Sequence, residues 1–138
     1  MSDDLDRFVD AQRDTYAGAL AELKRGRKTS HWMWFVFPQI AGLGHSSTAR
    51  FYAICSLAEA RVYLAHPVLG PGLHEFLAAL AALPPTTAEL VFGGIDAIKL
   101  RSSLTLFIAA GGGDDFAAAL DRWYGGRPDD ATLGLLAA

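Results

Sequence analysis

The chain has 138 residues, of which 51% are hydrophobic and 20% are charged, so it can bury one core and is too apolar for disorder. Twelve Lys and Arg face fifteen Asp and Glu, and the net charge of -3 argues against general nucleic-acid binding and membrane-surface binding. One cysteine excludes an internal disulfide and a thiolate metal cluster. We therefore predict a single domain over residues 1–138.

The location predicted from the sequence is the cytoplasm. The N-terminal segment is acidic and lacks the basic and apolar stretches of an export signal. Charged residues, Pro or Gly interrupt every apolar run before the length of about 18 residues that a membrane span requires. The lone Cys55 suits a reducing compartment. We expect no contact with a membrane.

Apolar spacing predicts helices along the first half of the chain. An apolar stripe over residues 5–24 predicts one amphipathic helix that ends at Gly26. Ser30 is expected to cap a short helix before Pro38, and residues 40–44 to form a loop. Further helices are predicted from Ser46 or Ser47 through residue 54, from the capping box of Ser56 and Glu59 to about residue 65, and over residues 67–83.

Caps and glycines mark the helices of the second half. Thr86 or Thr87 is expected to cap a turn over residues 88–92. Asp96, Asp114 and Asp129 or Asp130 are expected to cap helices over residues 97–110, 115–124 and up to about 136. No segment shows the two-residue alternation of a strand, apart from residues 35–37, which are too few to indicate one. The predicted fold is all-α, a compact bundle of six to eight helices, several of them short, without significant sheet.

The densest aromatic stretch includes Trp32, Trp34 and Phe37, which cannot all share one face of a helix. A central core segment is one interpretation. The other is a small-ligand pocket, because aromatic walls beside a few convergent polar groups are typical of such sites. The polar neighbours are His31, Gln39, His45, Ser46 and Ser47.

The helix predicted over residues 97–110 is apolar almost all round, which indicates a buried helix. Asp96, Lys99 and Ser103 fall near one side of it. Hydroxyl groups bonding back to carbonyls one turn earlier, with Asp96 as a cap, would satisfy the polar groups. Alternatively, Lys99 and Ser103 line an anion-binding pocket.

The sequence predicts no metal site and no cofactor. The four histidines are 14, 21 and 8 residues apart, which matches no common metal-binding pattern. The basic residues 24–28 are typical of a solvated helix end, so binding of nucleic acid is not favoured.

The string from Ser30 to Gln39, followed by Gly42 and Tyr52, resembles the signature of a bacterial family catalogued as domain of unknown function 1810. The similarity covers nearly the whole chain and includes residues 63–67, Leu69-Gly70, Asp96 and Lys99-Leu100. Gly72 stands where the family often has Arg, and Leu104 where it often has Met. The resemblance implies a compact helical domain and no established activity. Some members carry the label calpastatin, but nothing in the sequence indicates protease inhibition.

Our main hypothesis is one pocket built where residues 31–46 meet residues 96–105. It would bind a small, polar, partly planar ligand such as a nucleotide or nucleoside derivative. Metal-independent hydrolysis or group transfer, with His31 or Asp96 as acid or base, is the enzymatic form of this hypothesis. The predicted walls are Trp32, Trp34 and Phe37, and the predicted polar groups are His31, Gln39, His45, Ser46, Asp96, Lys99 and Ser103.

Two alternatives predict different surroundings for the same residues. A protein–protein interaction module would expose Trp32 or Trp34 on a convex apolar patch. A purely structural role would satisfy Asp96 and Lys99 with local partners and leave no cavity near them. The sequence predicts no oligomeric state.

Overall fold

The computed structural model describes residues 5–138, and over this range the protein is all-helical around one hydrophobic core. An isolated parallel bridge between Ile40 and Ile54 is the one β feature in these residues. The acidic start of the chain, residues 1–4, lies outside the described residues. The helices are α1 (Asp6–Arg13), α2 (Tyr16–Arg25), α3 (Met33–Val36), α4 (Ser47–Phe51), α5 (Leu57–Ala65), α6 (Leu69–Ala81), α7 (Ala88–Phe92), α8 (Gly94–Ala109), α9 (Asp114–Tyr124) and α10 (Asp130–Ala137).

The all-α class is confirmed, but the predicted count of six to eight helices is wrong, since residues 5–138 contain ten. The first predicted helix divides at Asp14 and Thr15, where the Thr15 amide donates to the Gln12 carbonyl, three residues back. The two halves then pack on different partners, α1 on α3 and α2 on α6. The short segments around residues 33–36, 47–51 and 88–92 each close as helical turns.

Several predicted caps are confirmed, and three are wrong. The side chains of Ser46, Ser56, Thr87 and Asp129 each accept a backbone N–H in the first turn of the following helix. Gly93 and Gly113 take the N-cap positions predicted for Asp96 and Asp114, because each has a positive φ that favours glycine. Ser30 caps nothing, and Trp32 precedes α3 without a side-chain cap.

Helix α8 is the centre of the bundle, in contact with α5, α7, α9 and α10. Two of its three hydroxyl groups bond back along the helix, as expected for a buried segment: Ser102 donates to the Ile98 carbonyl at 3.2 Å, sharing its proton with Asp129, and Thr105 donates to the Arg101 carbonyl at 2.8 Å. With 16 residues it is also the longest of the ten helices. No helix within residues 5–138 has both the length and the apolar character that crossing a bilayer demands.

Asp129 joins α10 to α8, so its replacement by alanine is expected to destabilise the protein by about 1–2 kcal/mol. Its carboxylate accepts the Thr132 amide at 3.0 Å, the Thr132 hydroxyl at 2.6 Å and the Ser102 hydroxyl at 3.2 Å. Both hydroxyl groups belong to buried residues and would lose a partner. Urea unfolding measures the change. Asp130→Ala, at an exposed position in the same first turn, should cost only a few tenths of a kcal/mol.

Candidate ligand-binding cleft

Two adjoining hollows share Trp34 and Tyr52, and we call them together the Trp34 cleft. The smaller hollow, of about 100 Å³, is lined by Trp34, residues 39–42, Gly44, Ala49, Arg50 and residues 52–53. The wider and more open hollow, of about 560 Å³, is lined by His31, Trp34, Phe35, Ser47, Thr48, Phe51 and Tyr52. The cleft therefore lies between the aromatic stretch and α4.

A backbone bridge closes the loop that forms the smaller hollow. The Ile54 amide donates to the Gln39 carbonyl and the Ala41 amide donates to the Ile54 carbonyl, both at 2.8 Å. Inside this loop, a Cβ atom added at Gly44 would lie 2.6 Å from the Cβ of Ala49. Glycine at position 44 thus allows the loop to close onto α4.

Helix α1 fixes the aromatic wall from behind. The Arg7 guanidinium donates to the carbonyls of Phe51 at 2.7 Å and Ala53 at 2.8 Å, on either side of Tyr52. The side-chain amide of Gln12 donates from Nε2 to the Phe35 carbonyl at 2.7 Å. The rings of Phe35 and Tyr52 then pack with their centroids 5.3 Å apart. The wall is therefore held by hydrogen bonds as well as by packing.

Trp34 is where the two predicted segments make contact, but no residue of the segment 96–105 lines either hollow. The Lys99 ammonium lies 4.4 Å from the centroid of the Trp34 ring, within cation–π distance. Asp96 pairs with Lys99 at 3.5 Å and with Lys28 at 2.8 Å. Helix α8 thus supports the indole through Lys99, and Asp96 links the two lysines.

A buried carboxylate positions the chain just before the cleft. Glu22 accepts hydrogen bonds from the Thr29 amide at 2.7 Å, the Ser30 amide at 3.0 Å, the Ser30 hydroxyl at 2.6 Å and the Trp32 indole at 3.0 Å. Burial on its own raises the pKa of Glu22, but these four hydrogen bonds together outweigh burial and lower the pKa to about 2. Glu22 is therefore an ionised anchor for residues 29–32, and nothing in the helical pattern of residues 5–24 indicates this role.

The structure brings three of the predicted site residues, His31, Trp34 and Gln39, to the cleft. Trp32 and Phe37 are each 1% exposed and pack in the core, as the core interpretation expects. The remaining predicted residues line neither hollow: Ser103 is buried, His45 is exposed, Ser46 caps α4, and Asp96 and Lys99 form the ion pairs described above.

The sequence analysis missed Arg50 and Phe51 as lining residues. Arg50 lines the smaller hollow, and its side chain makes no hydrogen bond or ion pair with any residue in the described range 5–138. One signal could have pointed to it, because Arg50 is the only Lys or Arg between residues 29 and 60. Phe51, 59% exposed, stands at the rim of the wider hollow.

The groups that line the cleft are aromatic rings, one guanidinium and one imidazole. Within residues 5–138, no group of three or more His, Cys, Asp or Glu side chains could hold a metal ion. The indole and phenol rings can stack on a planar group, and the guanidinium can pair with an anion. His31 supplies the imidazole of the wider hollow.

The fold and the cleft define a small helical protein with an aromatic hollow. The side chain of Arg50, which lines this hollow, has no partner among residues 5–138. The chain belongs to the family described as "Protein of unknown function (DUF1810)", whose family model matches residues 2–136. This finding confirms the resemblance seen in the sequence. The chain is also similar to the conserved hypothetical protein Rv1873 from Mycobacterium tuberculosis, known from a crystal structure, with 48% identity and a TM-score of 0.96 over 98% of this chain and 97% of that one. No curated protein matches the chain significantly.

Proposed function

We propose that the Trp34 cleft binds a small, planar, anionic ligand of the nucleotide or nucleoside-derivative class. The observation that carries the proposal is the position of Arg50, unpaired among residues 5–138, in a hollow whose wall is the Trp34 indole. Lys99 occupies one face of that indole, and the ring also lines both hollows. The lysine therefore holds the ring in place for a ligand stacked on its other face.

The sizes of the two hollows suit the two ends of such a ligand. About 100 Å³ beside Arg50 suits a phosphate or carboxylate group, and the wider hollow of about 560 Å³ suits a base or sugar. Stacking of a base on an aromatic side chain contributes about 1–3 kcal/mol. A hydrogen bond between Arg50 and an anion contributes about as much, because both groups are charged.

An enzymatic form of this proposal depends on His31. A metal-independent hydrolase or transferase acting in the cleft would use the His31 imidazole as acid or base, since His31 lines the wider hollow. Asp96 is poorly placed for that task, because it lines neither hollow and is paired with Lys28 and Lys99. A cytoplasmic location stays part of the proposal, since the exposed thiol of Cys55 suits a reducing compartment.

Protein–protein interaction through an aromatic surface is the second candidate, and the exposure of Phe51 favours it. Trp32 is buried and Trp34 lines a hollow, so the two indoles do not form the convex patch that this candidate needs. We therefore prefer a small ligand.

Calorimetric titration with AMP, adenosine and inorganic phosphate tests the proposal. We expect saturable binding of AMP, weaker binding of adenosine and very weak binding of phosphate, because AMP engages both hollows. Trp34→Leu should lower AMP affinity about tenfold or more, because it removes the stacking platform. Arg50→Gln should lower AMP affinity to about that of adenosine and leave adenosine affinity unchanged.

Two matched substitutions serve as controls. Arg61→Gln, at an exposed position on α5, and Trp123→Leu, on α9 outside the cleft, should leave AMP affinity unchanged. Circular dichroism checks that each variant is folded. Absence of AMP binding by the unmodified protein, or equal losses from Arg50→Gln and Arg61→Gln, would contradict the proposal.

A further inference from the structure

A third hollow, which shares no residue with the two hollows of the Trp34 cleft, lies between α6 and α9. We call it the α6–α9 trough. It encloses about 320 Å³, at the lower end of the range for small-ligand sites. Leu77, Trp123 and four alanines make its walls apolar, and its polar residues are His74, Asp115 and Arg122.

Contacts between α6 and α9 at two positions fix how the helices lie beside each other and so define the length of the trough. His74 contacts Asp115 at one end, and seven residues further along each helix Arg122 contacts the carbonyl of Ala81. The helices therefore run side by side in the same direction, and seven residues of helix give a trough about 10 Å long. The exposed Ala78 and Ala118 have side chains too short to fill the space between the helices.

Arg122 closes one end of the trough, and the N–H groups of its terminal nitrogens are already used by the protein. Its guanidinium donates to the carbonyls of Leu80, Ala81, Leu83 and Pro84 at 2.7–3.2 Å, which satisfies the end of α6. It also lies 4.4 Å from the centroid of the Trp123 ring. Because its two terminal amino groups already donate twice each, they have no N–H left for a ligand, and this end provides an aromatic wall.

His74 closes the other end, and its Nε2 makes no hydrogen bond with any residue from 5 to 138. Its Nδ1 contacts a carboxylate oxygen of Asp115, and since an ionised carboxylate only accepts, Nδ1 donates. The other oxygen of Asp115 accepts the Phe116 amide at 3.0 Å, and the His74 ring packs against the Phe116 ring at 5.2 Å. In the neutral form of the ring, which is the form that this site requires, an imidazole that donates from Nδ1 keeps a lone pair on Nε2 and can accept a hydrogen bond.

We propose that the α6–α9 trough is a binding site for a hydroxylated aromatic compound of the phenol class. The rings would lie against Trp123 and the alanine floor, where apolar contact and ring packing stabilise them. The hydroxyl group would donate to Nε2 of His74. A flat, bicyclic phenol fits a trough that is long, narrow and apolar except at one accepting end.

The test is a titration of the full chain with 2-naphthol, with 2-methoxynaphthalene as the probe that cannot donate. We expect saturable binding of 2-naphthol and about tenfold weaker binding of the ether. His74→Phe should lower 2-naphthol affinity to that of the ether and leave ether affinity unchanged. Ala118→Leu should abolish binding of both probes because the larger side chain fills the trough.

A matched variant and an assembly measurement keep the test decisive. Ala117→Leu, at an exposed position of α9 that does not line the trough, should bind 2-naphthol as the unmodified protein does. The site would be refuted by equal affinities for the two probes, by no binding at all, or by equal effects of the Ala117 and Ala118 variants. Light scattering that shows a dimer which Ala118→Leu dissociates would also overturn it, because a second copy would then fill the trough.

Discussion

Replacing Gly70 by alanine is expected to destabilise the protein by about 3 kcal/mol or more. A Cβ atom at this position would lie 2.2 Å from the carbonyl oxygen of Leu64 and 3.1 Å from its carbonyl carbon. Both are backbone atoms of α5, so relief requires that α6 move away from α5. Such a movement would open the core beside Leu69 and Leu73, which are each 1% exposed. Urea unfolding monitored by circular dichroism measures the loss.

The control for Gly70 is Gly18, which lies within α2 and has open space where an added methyl group would stand, with nothing within 4 Å of it. Gly18→Ala should therefore stabilise the protein by about 0.5–1 kcal/mol through helix propensity. Because the two substitutions are expected to change the free energy of unfolding in opposite directions, the comparison tests the close approach of Gly70 to Leu64. An unfolding midpoint for Gly70→Ala close to that of the unmodified protein would show that α5 and α6 do not approach as described.

Glu22→Gln is expected to cost about 2–3 kcal/mol at neutral pH. The carboxylate accepts four hydrogen bonds from residues 29–32, three at Oε1 and one, from the Ser30 hydroxyl, at Oε2. The Gln oxygen carries no charge, so it accepts the same three bonds more weakly, and the Ser30 hydroxyl must turn to accept from the Gln amino group. Glu22 and Trp32 are both buried, so water cannot make up for the weaker bonds. Chemical denaturation measures the change, and Glu89→Gln at an exposed site on α7 should leave stability almost unaffected.

The lowered pKa of Glu22 also predicts how the stability of the protein depends on pH. The pKa of Glu22 is about 2 in the folded protein, below its ordinary value of 4.5. Its contribution to stability is therefore complete above about pH 4.5 and is lost as the pH falls toward about 2. Glu22→Gln should flatten the stability profile over this interval. An equally steep loss of stability in the variant would show that other groups cause the acid sensitivity.

Capping residues and apolar spacing predicted most of the helices, because both signals come from residues within or next to the helix itself. Ser56 caps α5 by accepting the Glu59 amide at 3.1 Å, and the Glu59 side chain reaches back to the Cys55 amide at 2.8 Å, one residue before the position that a capping box uses. The break between α1 and α2 was not predictable in this way. The apolar stripe continues across Asp14 and Thr15, and the division reflects the separate packing partners of the two helices.

The cleft was only partly predictable, because tertiary packing decides which aromatic side chains reach solvent. Trp32 and Trp34 are two residues apart and similar in local pattern, but the first is drawn into the core by its hydrogen bond to Glu22. That bond requires the chain to turn back after α2, which Gly26 allows with a φ of 78°. The bridge between Ile40 and Ile54 holds residues 39–42 near α4, so Arg50 lines the same hollow as they do. Spacing along the chain does not indicate this long-range pairing.

The three tryptophans provide the most direct test of the Trp34 cleft, because each occupies a different environment. Trp32 is buried, Trp34 lines the cleft and Trp123 lines the α6–α9 trough. In a ¹⁵N-labelled sample, addition of AMP is predicted to shift the indole N–H signal of Trp34 and to leave those of Trp32 and Trp123 in place. A Trp34 signal that stays fixed at millimolar AMP, or a shift confined to Trp123, would contradict the proposed site.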